Sequence, residues 1–310
     1  MPASLVLALA LIGISFAGPL VRLSHAHPLA IAIWRIGFSL IIIAIALIAT
    51  GSWRQWKRLT RREVAVATGA GAMLAIHFWT WNASVDLTTV AASVVLVNMQ
   101  PVLVAVLSVV WLREPPSRRQ WLGIAIAMLG AFVVALPDVL SSSNAAAHAE
   151  LGDFLALAGA AAASVYFVSG RRLRSTLDLW PHVAMVYGTC FVVLILFAAI
   201  VNAPVIHQPP RELGIFVALA IGPMLFGHTG LNWALKYLPA YVVNLTLLGE
   251  PVGATVLAAI LPGIRETPGV STLLGGALIL AGIYVTARTA RSALRRAPSG
   301  GATLSREACD

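Results

Sequence analysis

The sequence predicts an all-α integral membrane protein of ten transmembrane helices, built as two inverted five-helix repeats with both termini in the cytoplasm. Three observations predict it. Of 310 residues, 59% are hydrophobic and only 11% charged, where a soluble domain carries about 25% charged residues. The apolar residues fall in ten runs, each long enough for a helix across a ~30 Å hydrocarbon core, which takes about 20 residues. Lys and Arg collect in alternate connections between those runs, the bias that orients membrane proteins.

Taken in order, the first run, 3–21, is apolar from its start and has no basic n-region. A small-residue site near His25 to His27 is followed by Pro28, a poor cleavage context, so the run reads as an uncleaved first helix. The second, 29–49, carries Arg35. The third, 64–84, carries His77, Trp79, Trp81 and Asn82. The fourth, 90–112, has Pro101 in its middle and stops before Pro115-Pro116. The fifth, 119–136, holds Gly123 and Gly130. The sixth and seventh are 151–170 and 181–201. The eighth, 213–234, follows Pro209-Pro210 and carries His228 and Asn232. The ninth, 241–262, follows Pro239 and carries Asn244, Glu250 and Pro251. The tenth, 269–287, holds Gly275 and Gly282. Prolines punctuate the connections throughout. The longest connection includes SSSNAAAH. It divides the chain into a first five-helix repeat (1–137), a polar linker (138–150) and a second repeat (151–287). A basic cytoplasmic tail (288–310) follows, with a composition that predicts disorder.

With the N-terminus placed in the cytoplasm, seventeen Lys and Arg fall inside and three outside (Arg22, Arg211, Arg265), leaving Arg35 within a helix. The net charge of +9 is spread through these short bursts, which excludes a nucleic-acid binder. Two cysteines, Cys190 and Cys309, cannot form a disulfide framework.

The halves repeat at a constant offset. Asn82 matches Asn232 and Gln100-Pro101 matches Glu250-Pro251, both offset by 150. Gly123 matches Gly275 and Gly130 matches Gly282, offset by 152. Five helices is an odd number, so the second repeat enters the membrane inverted. Inverted repeats build alternating-access carriers with the substrate near the midplane. Pro101 and Pro251 each remove a backbone bond, which predicts free carbonyls at Val97 and Leu247.

The segments LTLLGEPVGATVLAAILPG (245–263), LLGGALILAGIYV (273–285), their counterparts in 97–134, and HPLAIAIWRIG (27–37) carry a resemblance. The chain resembles the drug/metabolite transporter superfamily and, within it, the EamA family of bacterial ten-helix carriers. The resemblance implies a multi-pass protein of the cell inner membrane that moves small solutes such as amino acids or related metabolites, often by export. One departure is Gln100 where the second half has Glu250, which argues against paired symmetric carboxylates.

An ionisable group at the centre of a membrane helix costs about 2.5–3.5 kcal/mol on insertion scales, so each is a functional candidate. Glu250 lies nine residues into its helix, near the midplane, and shares a face with Thr246. It is a candidate proton carrier or cation contact, or a structural carboxyl beside Pro251. Arg35 can snorkel outward or reach inward to Glu250 or an anionic substrate group. His77 shares a face with Trp81, and His228 with Asn232; the two histidines are one residue out of repeat register. Asn82, Asn232 and Asn244 are candidate ligands or helix-to-helix hydrogen bonders. Trp34, Trp79, Trp81 and Tyr187 are candidates to line a cavity, while Trp53, Trp56, Trp111, Trp121 and Trp180 sit near helix ends as interfacial anchors.

No ligand spacing for a metal, no phosphate-binding P-loop and no nucleophile elbow occurs, so the chain is expected to be no enzyme and to need no cofactor. The leading reading is a secondary transporter rocking its two halves about a small-molecule substrate, with H⁺ through Glu250 as the simplest coupling. Alternatives are an accessory membrane subunit without transport activity and an intramembrane enzyme built on Glu250 with His77 or His228.

Overall fold

In a computed structural model, residues 2–87, 93, 96–141, 149–260 and 269–296 are described, and every regular element among them is helical. Thirteen α-helices are α1 (Ala3–Ser15), α2 (Ala17–Leu23), α3 (Pro28–Ala49), α4 (Arg61–Leu87), α5 (Gln100–Leu107), α6 (Arg118–Ser141), α7 (Ala149–Leu173), α8 (Leu179–Ile200), α9 (Pro210–Leu219), α10 (Gly230–Ala234), α11 (Ala240–Leu245), α12 (Glu250–Ile260) and α13 (Val270–Arg296). π-helical segments extend α5 over Ser108–Leu112 and join α9 to α10 over Ala220–Thr229. A 3₁₀ segment, Thr246–Gly249, joins α11 to α12. Among the described residues, seven helices are long and apolar enough to cross a membrane: Ala3–Val21, Pro28–Ala49, Arg61–Ser84, Ala149–Leu173, Leu179–Ile200, Pro210–Ala234 and Val270–Thr289.

Backbone polar groups have no water to bond inside a bilayer, which is why apolar spans become helices. The outward faces carry large apolar side chains that a soluble protein would bury. Ile48 is 72% exposed, Ile200 75% and Leu273 60%. Apolar exposure on this scale fits a lipid solvent, and the chain is a multi-pass membrane protein.

The helices pack through close backbone approaches. α6 and α13 cross with Gly130 against Gly275: a Cβ added to either would stand 2.6 Å from the other's carbonyl oxygen. A Cβ on Gly123 would strike Gly282 and Thr286, and one on Gly282 would strike Gly123. Any side chain there would force the helices apart. In the same way, a Cβ on Gly13 of α1 would come 2.9 Å from the carbonyl of Gly222.

The order of packing crosses the sequence halves. α1 packs chiefly on the 220–229 segment, α10 and α12. α7 packs on α4 and α5. α3 and α4 both lie against α8, α3 also touches the 220–229 segment, and α5 meets α11.

The connections gather at two ends. At the basic end Arg171 pairs with Glu114 at 2.7 Å, and the Gln55 amide donates to Asp178 at 2.6 Å. Thr176 donates to Glu63 at 3.1 Å. The Gln55 amide, and after it Lys236, hold the Asp178 carboxyl below the usual carboxylate range. At the other end Ser24 donates to Glu212 at 2.5 Å and Arg211 donates to the Leu23 carbonyl at 2.8 Å.

α6 runs to Ser141, and 142–148 lie outside the described residues. Two expectations need correction. The ninth run is not one continuous helix but α11, a 3₁₀ turn and α12. The tail is helical from 288 to Arg296; 297–310 lie outside the described residues. Ala, Leu and Arg are strong helix formers, and Arg288 closes back on Tyr284 one turn earlier, donating to its hydroxyl at 3.1 Å.

Candidate functional site

Two helices begin in the middle of the protein, each on a polar residue followed by proline. Gln100-Pro101 opens α5 and Glu250-Pro251 opens α12. Proline suits the first helical turn, where no N–H partner exists. The repeat prolines therefore start helices here instead of kinking them. The carbonyl expected to be free at Leu247 is taken by the Glu250 N–H, because the chain tightens into 3₁₀ geometry before the break. Glu250 then stands in the first turn of α12, where the helix dipole favours a carboxylate.

Asn244 joins the two breaks. It is fully buried, and its Nδ2 donates to the Gln100 side chain at 3.2 Å. Its Oδ1 is buried without a partner. Gln100, the departure from a symmetric carboxylate pair, thus serves as half of an amide pair across the two helix breaks.

Arg35 turns inward. It is 6% exposed, and its guanidinium carbon lies 3.9 Å above the centre of the Phe78 ring, a cation–π contact that strengthens where water is excluded. Glu250, Cys190 and Tyr187 lie within its electrostatic range. Among the described residues no ion pair joins Arg35 to Glu250, and Arg35 Nε is buried without a partner.

The two histidines converge on the same ring. His77 lies 5.4 Å from Phe78, and His228 meets it edge-on at 5.8 Å. His77 is stacked parallel to Trp81, and its Nδ1 bonds the Gly159 carbonyl at 3.0 Å. His228 Nδ1 and Trp81 Nε1 are buried without partners.

Asn232 is the hub of a buried network. Its Nδ2 donates to the Tyr166 hydroxyl at 2.5 Å and to the His228 carbonyl at 2.8 Å, and its Oδ1 faces His182 Nε2 at 3.0 Å. Its own carbonyl accepts from Arg174 at 3.1 Å, so the network reaches the basic end. Tyr187 adds a contact to Thr229 at 3.2 Å.

The remaining candidates stand apart. Asn82 is half-buried, with no side-chain hydrogen bond among the described residues. Trp79 is 38% exposed and packs on Phe197, so it faces outward. Trp34 bonds the Val205 carbonyl at the end opposite the basic one. Phe78, Tyr166, His182 and Arg174 belong to the site and were missed. His182 and Tyr166 lie within apolar spans, where each reads as packing until its Asn232 partner across the bundle is known. Among the described residues no His, Cys, Asp or Glu cluster could hold a metal.

Residues 1–136 and 150–288 match the EamA-like transporter family. An uncharacterized transporter of Archaeoglobus fulgidus is 27% identical over 285 residues, covering 89% of this chain and 94% of the relative. A solved structure described only as a crystal structure of protein superposes with a TM-score of 0.76 at 20% identity. It covers 94% of this chain and 98% of its own, a likeness of fold.

Proposed function

The chain belongs to the EamA-like transporter family, and from that premise we propose that it is a secondary carrier, exporting an amino acid or related small metabolite across the cytoplasmic membrane by alternating access. Ten spans in two inverted repeats, 1–137 and 151–287 with the linker between, and cytoplasmic termini complete the proposal. The packing supports it. Under the repeat, α1 corresponds to α7, α4 to the eighth span and α5 to α12. The contacts of α1 with the eighth span and α12 are then the counterparts of those of α7 with α4 and α5. Gly123 meets Gly282 while Gly130 meets Gly275, the reciprocal pairing that a two-fold relation produces. This pattern also revises which parts rock. The proposed units are two crossed modules, each holding helices of both halves, with the Arg35 site between them.

The observation that carries the reading is the unjoined pair Arg35 and Glu250 among orphaned buried donors. An uncompensated buried charge costs several kcal/mol, and unpaired buried polar atoms call for a partner. A solute with an anionic group for Arg35, His228 and Trp81, and a cationic group or a proton for Glu250, supplies both. The broken helices at Gln100 and Glu250 are the kind of element that lines such sites. This reading leaves no role for catalysis.

The test is ligand-dependent stabilisation of the purified protein across a panel of amino acids and small metabolites. A true substrate at a hundredfold its Kd raises stability by about 2.7 kcal/mol, and Arg35→Gln abolishes the shift. A solute that stabilises Arg35→Gln as well as wild type contradicts the assigned site.

A further inference from the structure

Where α4 begins and α7 ends, the basic end carries a cleft of about 270 Å³ lined by Thr60, Arg62, Glu63, Val66, Arg172 and Thr176, among others. It lies outside the Arg35 site. We propose that this cleft holds the phosphate group of an anionic phospholipid of the leaflet facing the basic end.

The cleft's chemistry is one of free positive charge. Arg62 and Arg172 are exposed, and neither guanidinium has an ion-pair or hydrogen-bond partner among the described residues. Glu63 does not neutralise them by contact. Its Oε2 takes bonds from the Thr60 N–H and hydroxyl at 2.9 and 2.8 Å, and its Oε1 takes the Thr176 hydroxyl at 3.1 Å. This capping arrangement turns the carboxylate into the wall. Arg62 and Arg172 both line the cleft, and the fork of a guanidinium suits phosphate oxygens.

The apolar part of the lining selects a lipid over a soluble anion. Val66 and Leu173 add apolar surface to the lining, which a free phosphate has no use for and the glycerol end of a lipid covers. The neighbouring segment Ser52–Arg58 carries Trp53 and Trp56, each 38% exposed, and exposed indoles of membrane proteins sit at headgroup level. Basic pockets between membrane helices at that level attract anionic headgroups. The volume falls just under the ~300 Å³ at which small-molecule pockets begin, enough for a headgroup and not for a whole lipid.

The full chain in detergent, titrated with phosphatidylglycerol or phosphatidylcholine and read by native mass spectrometry, tests this. Wild type retains phosphatidylglycerol preferentially. Arg62→Gln with Arg172→Gln weakens that retention by on the order of tenfold and removes the preference, while Arg62→Lys with Arg172→Lys, which keeps the charges but not the forks, restores only part of it. Equal retention of the two lipids by wild type overturns the proposal, as does undiminished phosphatidylglycerol retention in the glutamine variant. Displacement of the lipid by millimolar inorganic phosphate also overturns it, assigning the cleft to a soluble anion instead.

Discussion

Arg35 is buried and Glu250 half-buried, no ion pair joins them among the described residues, and the two residues make separable predictions. Glu250→Gln keeps shape and hydrogen-bonding capacity but cannot take up a proton. Solute flux in that variant is expected to lose its dependence on a pH gradient; flux that keeps the dependence returns Glu250 to a structural role. Asn232 carries a different load. Asn232→Ala strips partners from the Tyr166 hydroxyl and His182 at once. Each unpaired buried group costs about 1–3 kcal/mol, so thermal or denaturant unfolding should show a loss of about 2–6 kcal/mol. A loss under 1 kcal/mol would mean that water replaces the amide. Arg35 and Glu250 were legible because charges are rare inside apolar runs. The meeting of His77 and His228 was not, because they are one residue out of repeat register and only the Phe78 ring between them brings them together. Tyr166 and His182 were illegible for a related reason: an aromatic or histidine inside a span reads as packing until its partner across the bundle is known.

Glycines and prolines shape the elements. The α6–α13 crossing places carbonyls where side chains would stand, so Gly130→Val or Gly275→Val should separate the helices. Overpacking of this kind costs about 1–3 kcal/mol or more, and unfolding or loss of expressed protein measures it. Valine at Gly69, whose added Cβ meets nothing within 4 Å, should be tolerated; equal damage there would remove the case for the crossing. The matched glycine spacing was plain in the sequence, and so were the repeat prolines. What the prolines do was not. A proline inside an apolar run reads as a kink, yet at Glu250-Pro251 the preceding residues tighten into a 3₁₀ turn and a new helix begins. That choice depends on tertiary room for the turn, which Asn244 and Gln100 help define. The helical extension to Arg296 was hidden for the opposite reason: a charged composition masked good local propensity.

Across the whole molecule, the packing interleaves the two sequence halves, and contacts between them gather at the basic end. Arg171 alone holds Glu114 and the carbonyls of Leu235 and Lys236. Its side chain is only 22% exposed, so its contribution exceeds that of a solvated surface pair, itself worth about 0–1 kcal/mol. Arg171→Ala should shift the population toward a state open at that end, read as faster labelling of a cysteine placed at Ser164 from the basic side. Unchanged labelling would show that this contact is no gate. The claim beneath all of these is that the protein moves a solute through itself. Exchange of labelled amino acids and small metabolites in proteoliposomes tests it most directly, with wild type, Arg35→Gln and empty vesicles compared. Saturable counterflow of one solute class is expected in wild type and its loss in Arg35→Gln. Folded protein that exchanges no solute in the panel above the empty-vesicle rate would contradict it.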